Sequence, residues 1–418
     1  MEINARVRHR LKIAIAALLL LTGAGLYGCV AARLPNVALA PRAEEASPPA
    51  LGAFGADPPV QSWEDWRVRR APLLREAFQA NIYGSWPADA PGSVEKHPLQ
   101  PAGFTGRLEQ WRVSLGAAGA FNMLVITPAR AAGPAPVIVM QNFCGNASAY
   151  PRIEGIAGPD FCGGWQRPVV RAIFGDSIIT PPTQLILDAG YAIAMFYPGE
   201  VAPDNSGAIE TLEALTPEDA PPSQRTGAVA AWAWLYIKAL EALAADARFD
   251  AQRIVLWGHS RNGKSALLAA AMDERPAAVI ALQPGTAGGS LQRDDVGESI
   301  GEITGNYPHW FAPVYATYAG REAALPVDMH QLIALIAPRP VLLGAARRDQ
   351  WSDPHGAFRA AQGAAPVYQL AGAPAFTQSD LSAMDLSGPL VTYMRPGLHG
   401  VHRSDWEKAL AFLDAELR

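Results

Sequence analysis

The 418-residue chain has only three cysteines, Cys29, Cys144 and Cys162, too few for a disulfide scaffold or a four-thiolate zinc site. Charge is also scarce: 17% of the residues are Asp, Glu, Lys or Arg, with 34 basic against 39 acidic side chains and a formal net charge of −5. No basic block occurs beyond the N-terminus, which argues against a nucleic-acid partner. There is no internal repeat, and 38 glycines with 36 prolines make the chain loop-rich without making it low-complexity. What is abundant is apolar material, 50% of the chain, enough for one large α/β domain or two ordinary ones. A globular, loop-rich enzyme or binding protein is left.

Arg6, Arg8, Arg10 and Lys12 precede the apolar run Ile13–Leu21, the charged and apolar parts of an export leader. Leu26-Tyr27-Gly28 before Cys29 resembles a lipoprotein cleavage box, with Cys29 the lipidation site, and Ala38-Leu39-Ala40 offers an ordinary signal-peptidase site instead. An uncleaved anchor is the third route, disfavoured by the shortness of the run. Each route puts the bulk of the protein outside the cytoplasm: periplasmic, on the outer membrane or secreted. Membrane attachment is expected only through this leader. In an oxidising compartment Cys144 and Cys162 are expected to form a disulfide, the alternative being two buried thiols.

The expected division is a leader over 1–40, a Pro-, Ala- and Gly-rich tether over 41–60 and one catalytic domain over 61–418. Short β-branched runs recur at Trp111–Leu115, Met123–Thr127, Val137–Gln141, Ala192–Tyr197, Arg253–Trp257, Ala278–Gln283, Val341–Ala345 and Leu390–Met394. Helical patterns at Ala228–Leu243, Lys264–Met272 and Trp406–Leu417 fall among the later ones. Alternating strand and helix means parallel strands joined by crossovers. The fold class is therefore α/β, an α/β-hydrolase sheet, mostly parallel and flanked by helices, with chemistry at the carboxyl ends of its strands.

Arg253-Ile-Val-Leu-Trp-Gly-His-Ser-Arg-Asn-Gly-Lys264 reads as strand, tight turn and helix, with Ser260 at the turn. Gly258 lets strand and helix close, and the helix start aims amides at an oxyanion beside Ser260. This is the setting of a nucleophile elbow, with Asn262 where the usual second Gly would be. The bland alternative is a Ser that caps a helix. Gly258-His-Ser-Arg-Asn-Gly-Lys264 also resembles the elbow of the glucuronoyl esterases, carbohydrate esterase family fifteen. Trp66-Arg-Val-Arg-Arg70 with Tyr83-Gly84, Asn142-Phe-Cys-Gly-Asn146, the long segment Leu325–Pro340, and Arg395-Pro-Gly-Leu-His399 followed by Asp405-Trp406 resemble further family motifs in the same order, the last of them the bacterial branch.

A Ser hydroxyl needs a base, and the base needs a group to fix its tautomer. His399 and His402 follow the last expected strand. His399 sits in the turn after it and matches the family motif, so it is the expected base. The spacing of His399 and His402 with Asp405 suggests a metal site that nothing else supports. Fungal members of the family carry a Glu shortly after the strand that follows the elbow helix, but Leu282-Gln-Pro-Gly-Thr286 holds no carboxylate. The loop after the next strand supplies Asp349, the expected acid, with Asp353 the runner-up and a helix-cap candidate before Pro354. The fungal crosslink between the residue before Ser and the one after His is absent, its positions being His259 and Gly400.

Arg261 is expected to stabilise the oxyanion, the alternative being a structural salt bridge. The resemblance implies that Lys264 contacts sugar hydroxyls and favours the same for Glu298, within a long insertion at 285–331, the alternative for Glu298 being an ordinary helix-start carboxylate. Trp351 offers an aromatic face beside the acid, although a core Trp is the default. Whether 158–188 and 200–225 cover the site is left open, as is the oligomeric state. The resemblance implies a serine esterase, with no metal or organic cofactor, that cleaves esters between (4-O-methyl-)glucuronic acid on xylan and lignin alcohols. Another carbohydrate esterase (acetyl, feruloyl or other uronate) and a non-catalytic carbohydrate-binding lipoprotein are the competing readings.

Overall fold

A computed structural model describes residues 35–39, 47–90, 92–130, 133–293, 296–382 and 384–417. Cys29, the apolar run and most of the expected leader lie outside the described residues. One nine-stranded sheet organises the rest: β1 (Ser93–Leu99), β2 (Gly106–Ser114), β3 (Ala120–Pro128), β4 (Ala135–Gln141), β5 (Ala192–Phe196), β6 (Phe249–His259), β7 (Ala278–Leu282), β8 (Val341–Ala346) and β9 (Leu390–Arg395), in the order β1-β2-β3-β5-β4-β6-β7-β8-β9. The pairs β1/β2, β2/β3 and β3/β5 are antiparallel, and from β5 to β9 every pair is parallel.

Parallel strands are buried on both faces, which is why the later strands read as near-continuous apolar runs. Residues Ile254–His259 of β6 are all buried, with Leu256 entering one core and Val255 and Trp257 the other. The larger core is covered by α1 (Ala71–Phe78), α4 (Ala228–Ala244) and α5 (Arg261–Met272). The opposite face is covered by α3 (Thr183–Asp188), which follows α2 (Gln166–Phe174), and by α9 (Arg403–Leu417), whose Trp406 stacks on Trp257 at 4.6 Å.

Three features depart from the sequence expectation. Residues 47–60 are folded onto the domain instead of forming a tether: Ala50 and Val60 are buried, Arg70 donates to the carbonyls of Ala50 (3.2 Å), Gly52 (2.7 Å) and Pro58 (2.9 Å), and His330 Nε2 lies 2.8 Å from Pro48 O. Composition marked this stretch as chain without a period, and a buried guanidinium with many donors is what recruits its carbonyls. Strand β1 was not anticipated because Ser-Val-Glu-Lys-His-Pro-Leu is charged and solvent-facing, as edge strands are. Helix α8 (Pro354–Leu370) has no clear helical signature in the sequence, because its buried face is built largely from Ala and Gly and it contains Pro366. The insertion at 285–331 carries α6 (Ile300–Asn306) and leads into α7 (Met329–Ala334), and it buries Trp310, Phe311 and Tyr315 in the larger core. No helix among the described residues is long and apolar enough to cross a membrane.

Candidate active site

Ser260 stands between β6 and α5 with φ 54° and ψ −129°, a backbone conformation that costs a non-glycine residue energy and has to be imposed by its surroundings. Its amide donates to Leu282 O at 2.8 Å, and the amides of Gly263 and Lys264 donate to its carbonyl at 2.8 and 3.0 Å. Gly258 makes the turn possible, because a Cβ there would lie 2.0 Å from Asn262 O. Asn262, the departure from the usual elbow, is buried and donates from Nδ2 to Gln141 O at 3.3 Å, tying the helix start to the end of β4. The first amides of α5, at Arg261 and Asn262, belong to the group that a helix leaves without intrahelical acceptors.

His399 follows β9, and its Nδ1 lies 2.7 Å from Asp349 Oδ2 in the loop after β8. Burial pushes the Asp349 carboxyl up, but the facing His399 and the Ser352 hydroxyl and amide outweigh it and hold the group below the ordinary carboxylate range. The Ser352 hydroxyl donates to the same Oδ2. Asp353, the other candidate acid, occupies the N-terminal boundary of α8 with φ 44°, and its side chain does not cap that helix. The partner of His399 is Asp349. His402 is half-exposed and lies 3.5 Å from Asp176, and Asp405 is engaged by Arg395 Nε (2.9 Å) and Tyr393 OH (2.9 Å), so these two do not converge on an ion.

The crosslink missing between positions 259 and 400 has a hydrogen-bonded counterpart. Gln283 Oε1 lies 2.8 Å from His259 Nε2 and accepts the Gly400 amide at 2.9 Å. Burial, with His399 and nearby arginines, drives the His259 pKa well below its ordinary value, so its ring is neutral and Nε2–H is the donor to the shared oxygen. Gln283 itself is held at φ 51° with its amide on Gly344 O at 2.7 Å. On the far side of the His turn, Arg395 Nη2 donates to Gly400 O at 2.6 Å.

Ser260, Arg261, His259 and His399 line one cleft of about 240 Å³ whose other walls are Phe143, Val170, Phe174, Ile178 and the cysteine pair. Cys144 and Cys162 form the disulfide, with Cα atoms 5.3 Å apart. The segment 158–188 therefore covers the site, through α2 and the chain after it. Segment 200–225 contributes Asp204, whose Oδ2 lies 2.8 Å from Arg261 Nε while Oδ1 meets Trp310 Nε1 (2.7 Å) and His309 Nε2 (2.9 Å). Burial raises the Asp204 carboxyl, and His309, Arg261 and Trp310 together bring it below the ordinary range. Arg261 makes the salt bridge through Nε, its guanidinium lies 4.7 Å from the centre of the Phe143 ring, and the residue also borders the cleft.

Lys264, Glu298 and Trp351 form a second cluster that does not line this cleft. Lys264 is buried and donates to Thr286 O, and burial pulls its pKa down to about 8 against the opposing pull of Glu298 and Asp349. Glu298 is buried and its carboxyl is pushed up by that burial, partly offset by Lys264. The Glu298 amide donates to Trp351 O at 3.1 Å, and Gly297 precedes it at φ 81°, where a Cβ would also meet the same Trp351 carbonyl at 2.6 Å. Trp351 is 52% exposed and is not a core residue. Phe143, Val170, Phe174, Ile178, Asp204, Gln283 and Ser352 were not singled out from the sequence. Phe143 lies inside the Asn142–Asn146 motif and Gln283 in the stretch that lacks the fungal-type acid, but no local signal marks Asp204 or Ser352.

A family model described as fungal glucuronyl esterase matches residues 167–372. The chain is 30% identical over 377 residues to a carbohydrate esterase of an unknown prokaryotic organism, spanning 85% of this chain and 86% of that one. It is 26% identical over 362 residues to the 4-O-methyl-glucuronoyl methylesterase of Cerrena unicolor, spanning 83% of this chain and 65% of that one. Among solved structures it is similar to the glucuronoyl esterase from Solibacter usitatus, with 30% identity, a TM-score of 0.80, and coverage of 90% of this chain and 100% of that one.

Proposed function

The chain belongs to the glucuronoyl esterases, carbohydrate esterase family fifteen, and from that premise we propose that it hydrolyses esters of (4-O-methyl-)glucuronic acid carried on xylan, releasing lignin-type alcohols. The observation that carries the assignment of roles is the 2.7 Å contact of Asp349 Oδ2 with His399 Nδ1, with His399 and Ser260 on one cleft. Asp349 holds the proton on Nδ1, leaving Nε2 free as the base. Ser260 Oγ attacks the uronate carbonyl carbon as its proton passes to His399. Negative charge on the carbonyl oxygen is met by Arg261 and the first amides of α5. The C–O bond to the alcohol breaks, His399 protonates the departing oxygen, and water attacks the acyl-enzyme by the same route to release the uronic acid and restore Ser260.

The apolar lining of Phe143, Val170, Phe174 and Ile178 supports an aryl alcohol as the leaving group. The cluster of Lys264, Glu298 and the exposed Trp351 supports a sugar partner, since donors, an acceptor and an aromatic face together suit a polyhydroxylated ring. Export is part of the same reading, supported by the leader pattern and by a disulfide in the folded domain. The test is hydrolysis of benzyl glucuronate by the wild type and by Ser260→Ala, with 4-nitrophenyl acetate alongside. Uronate-ester turnover is expected to fall about 10⁴-fold or more in the variant. Strong acetate turnover without uronate turnover in the wild type would move the substrate to another carbohydrate ester.

A further inference from the structure

The five residues Pro35–Leu39 lie within the expected leader, yet they are docked on the domain beside the acid-bearing loop. The Val37 amide donates to Arg347 O at 2.7 Å, and Arg347 Nε donates back to Val37 O at 3.2 Å. His355 Nε2 lies 2.9 Å from Ala38 O, Gln350 Nε2 donates to Pro35 O at 3.3 Å, and the Leu381 amide donates to Leu39 O at 3.2 Å. Val37 and Leu39 pack against a small core of Ala345, Phe358, Leu381 and Met394 that belongs to neither main cluster.

The placement of these contacts is what gives them meaning. Arg347 directly follows β8, and His355 lies in the first turn of α8. Between them runs the loop that carries Asp349, and Gln350 is its next residue. The segment therefore holds both ends and the middle of the loop that sets the acid against His399. Its removal would strip the acceptor from buried His355 and the cover from Phe358 and Met394, and polar groups and apolar surface in such positions need their partners.

We propose that residues 35–39 remain in the mature enzyme as a strap that positions the Asp349 loop, so the leader is not cut after Ala40. Ala38 and Leu39 are then part of the folded domain's attachment, and the Ala38-Leu39-Ala40 tripeptide is not a processing site. Val37 and Leu39 are positioning residues on this reading: they act through the loop and touch no reacting atom.

The first measurement is the intact mass and N-terminal sequence of the protein exported from its full-length gene. A mature chain that still contains residues 35–39 is expected, and a chain beginning at Pro41 would overturn the proposal. This readout does not depend on the enzyme's substrate, so it stands even if the esterase reading, on which the kinetic arm rests, were to fail. For that arm, Val37→Pro in the full chain removes the amide that bonds Arg347 O. Its kcat on benzyl glucuronate is expected to fall about ten-fold with KM within about two-fold, because loss of alignment acts on the transition state. The acidic limb of its pH–rate profile should also move, since the Asp349–His399 pair is what that limb reports. Asn36→Ala, at an exposed strap position, is the control and should match the wild type. Should Val37→Pro prove unstable, Leu39→Ala provides the same kcat-against-KM comparison. Unchanged kcat and pH profile in a folded strap variant would overturn the positioning role.

Discussion

The two sides of the cleft are secured in different ways. On one side, the loop after β4 is closed by the Cys144–Cys162 disulfide, and the nucleophile beside it sits at the end of a strand buried on both faces. On the other, His399 and Asp349 lie on loops after β8 and β9 with no covalent tie, held through Gln283, Ser352, the Arg395–Asp405 pair and residues 35–39. A covalent tie tolerates the loss of neighbours, whereas a hydrogen-bonded network is only as good as its full set of partners. The difference teaches that a missing crosslink can be replaced by a single amide oxygen when that oxygen reaches both loops, as Gln283 Oε1 does. It also means that the non-covalent side should be the more sensitive to conservative substitution.

The sharpest way to break that comparison is Asp349→Asn. It keeps the shape but can stabilise the wrong tautomer of His399, and kcat is expected to drop about 10³- to 10⁴-fold, whereas Asp353→Asn should cost far less. A pH signature accompanies it. The folded-state pKa of Asp349 lies below its ordinary value, so its ionised form adds stability that is complete above the unfolded-state pKa and is lost as pH falls through the folded one. Denaturant midpoints measured at descending acid pH should therefore decline less steeply in Asp349→Asn than in the wild type. Equal activity losses at 349 and 353 would sink the assignment of the acid.

Gln283→Ala comes next in size. It leaves the Gly400 amide and the His259 ring without their shared acceptor while touching no reacting atom, and a kcat loss of about ten-fold is expected. Gln283→Glu keeps an acceptor oxygen in place and should recover part of that loss. If Gln283→Ala were as active as the wild type, the oxygen would not be the substitute for the absent crosslink.

These pairs also mark where the sequence was informative. The parallel strands were legible because burial on both faces writes a continuous apolar run, and Ser260 was legible because an elbow demands a small residue at 258 and a strand before it. His399 and Asp349 could be placed by chain order, since each directly follows a strand of the same sheet. Asp204 was not legible: its partners Arg261, His309 and Trp310 are remote in sequence, and a lone loop Asp has the same local appearance whether it orients an arginine or ends a turn. Residues 47–60 read as a tether for a related reason, and the docking of residues 35–39 was hidden in the same way. Their attachment runs mostly through backbone carbonyls accepting from Arg70, Gln350, His355 and Leu381, and a carbonyl carries no side-chain signature.

The smallest expected effect on chemistry sharpens the comparison from the pinned side. Replacing both Cys144 and Cys162 by Ser opens a link between residues 18 apart in sequence, which by loop-closure entropy removes about 3 kcal/mol of stability. Ser260, Arg261, His399 and Asp349 all stand on other elements, so kcat for a methyl glucuronate ester should stay within about three-fold of the wild type. The consequence should appear instead in leaving-group preference, because the two cysteines border the cleft beside Phe143, Val170 and Phe174. A lower thermal midpoint, with a reduced advantage of benzyl over methyl esters and an intact methyl-ester kcat, is the expected pattern. A methyl-ester kcat reduced more than Gln283→Ala reduces it would reverse the argument, making the covalently tied wall, and not the hydrogen-bonded one, the side on which alignment of the triad depends.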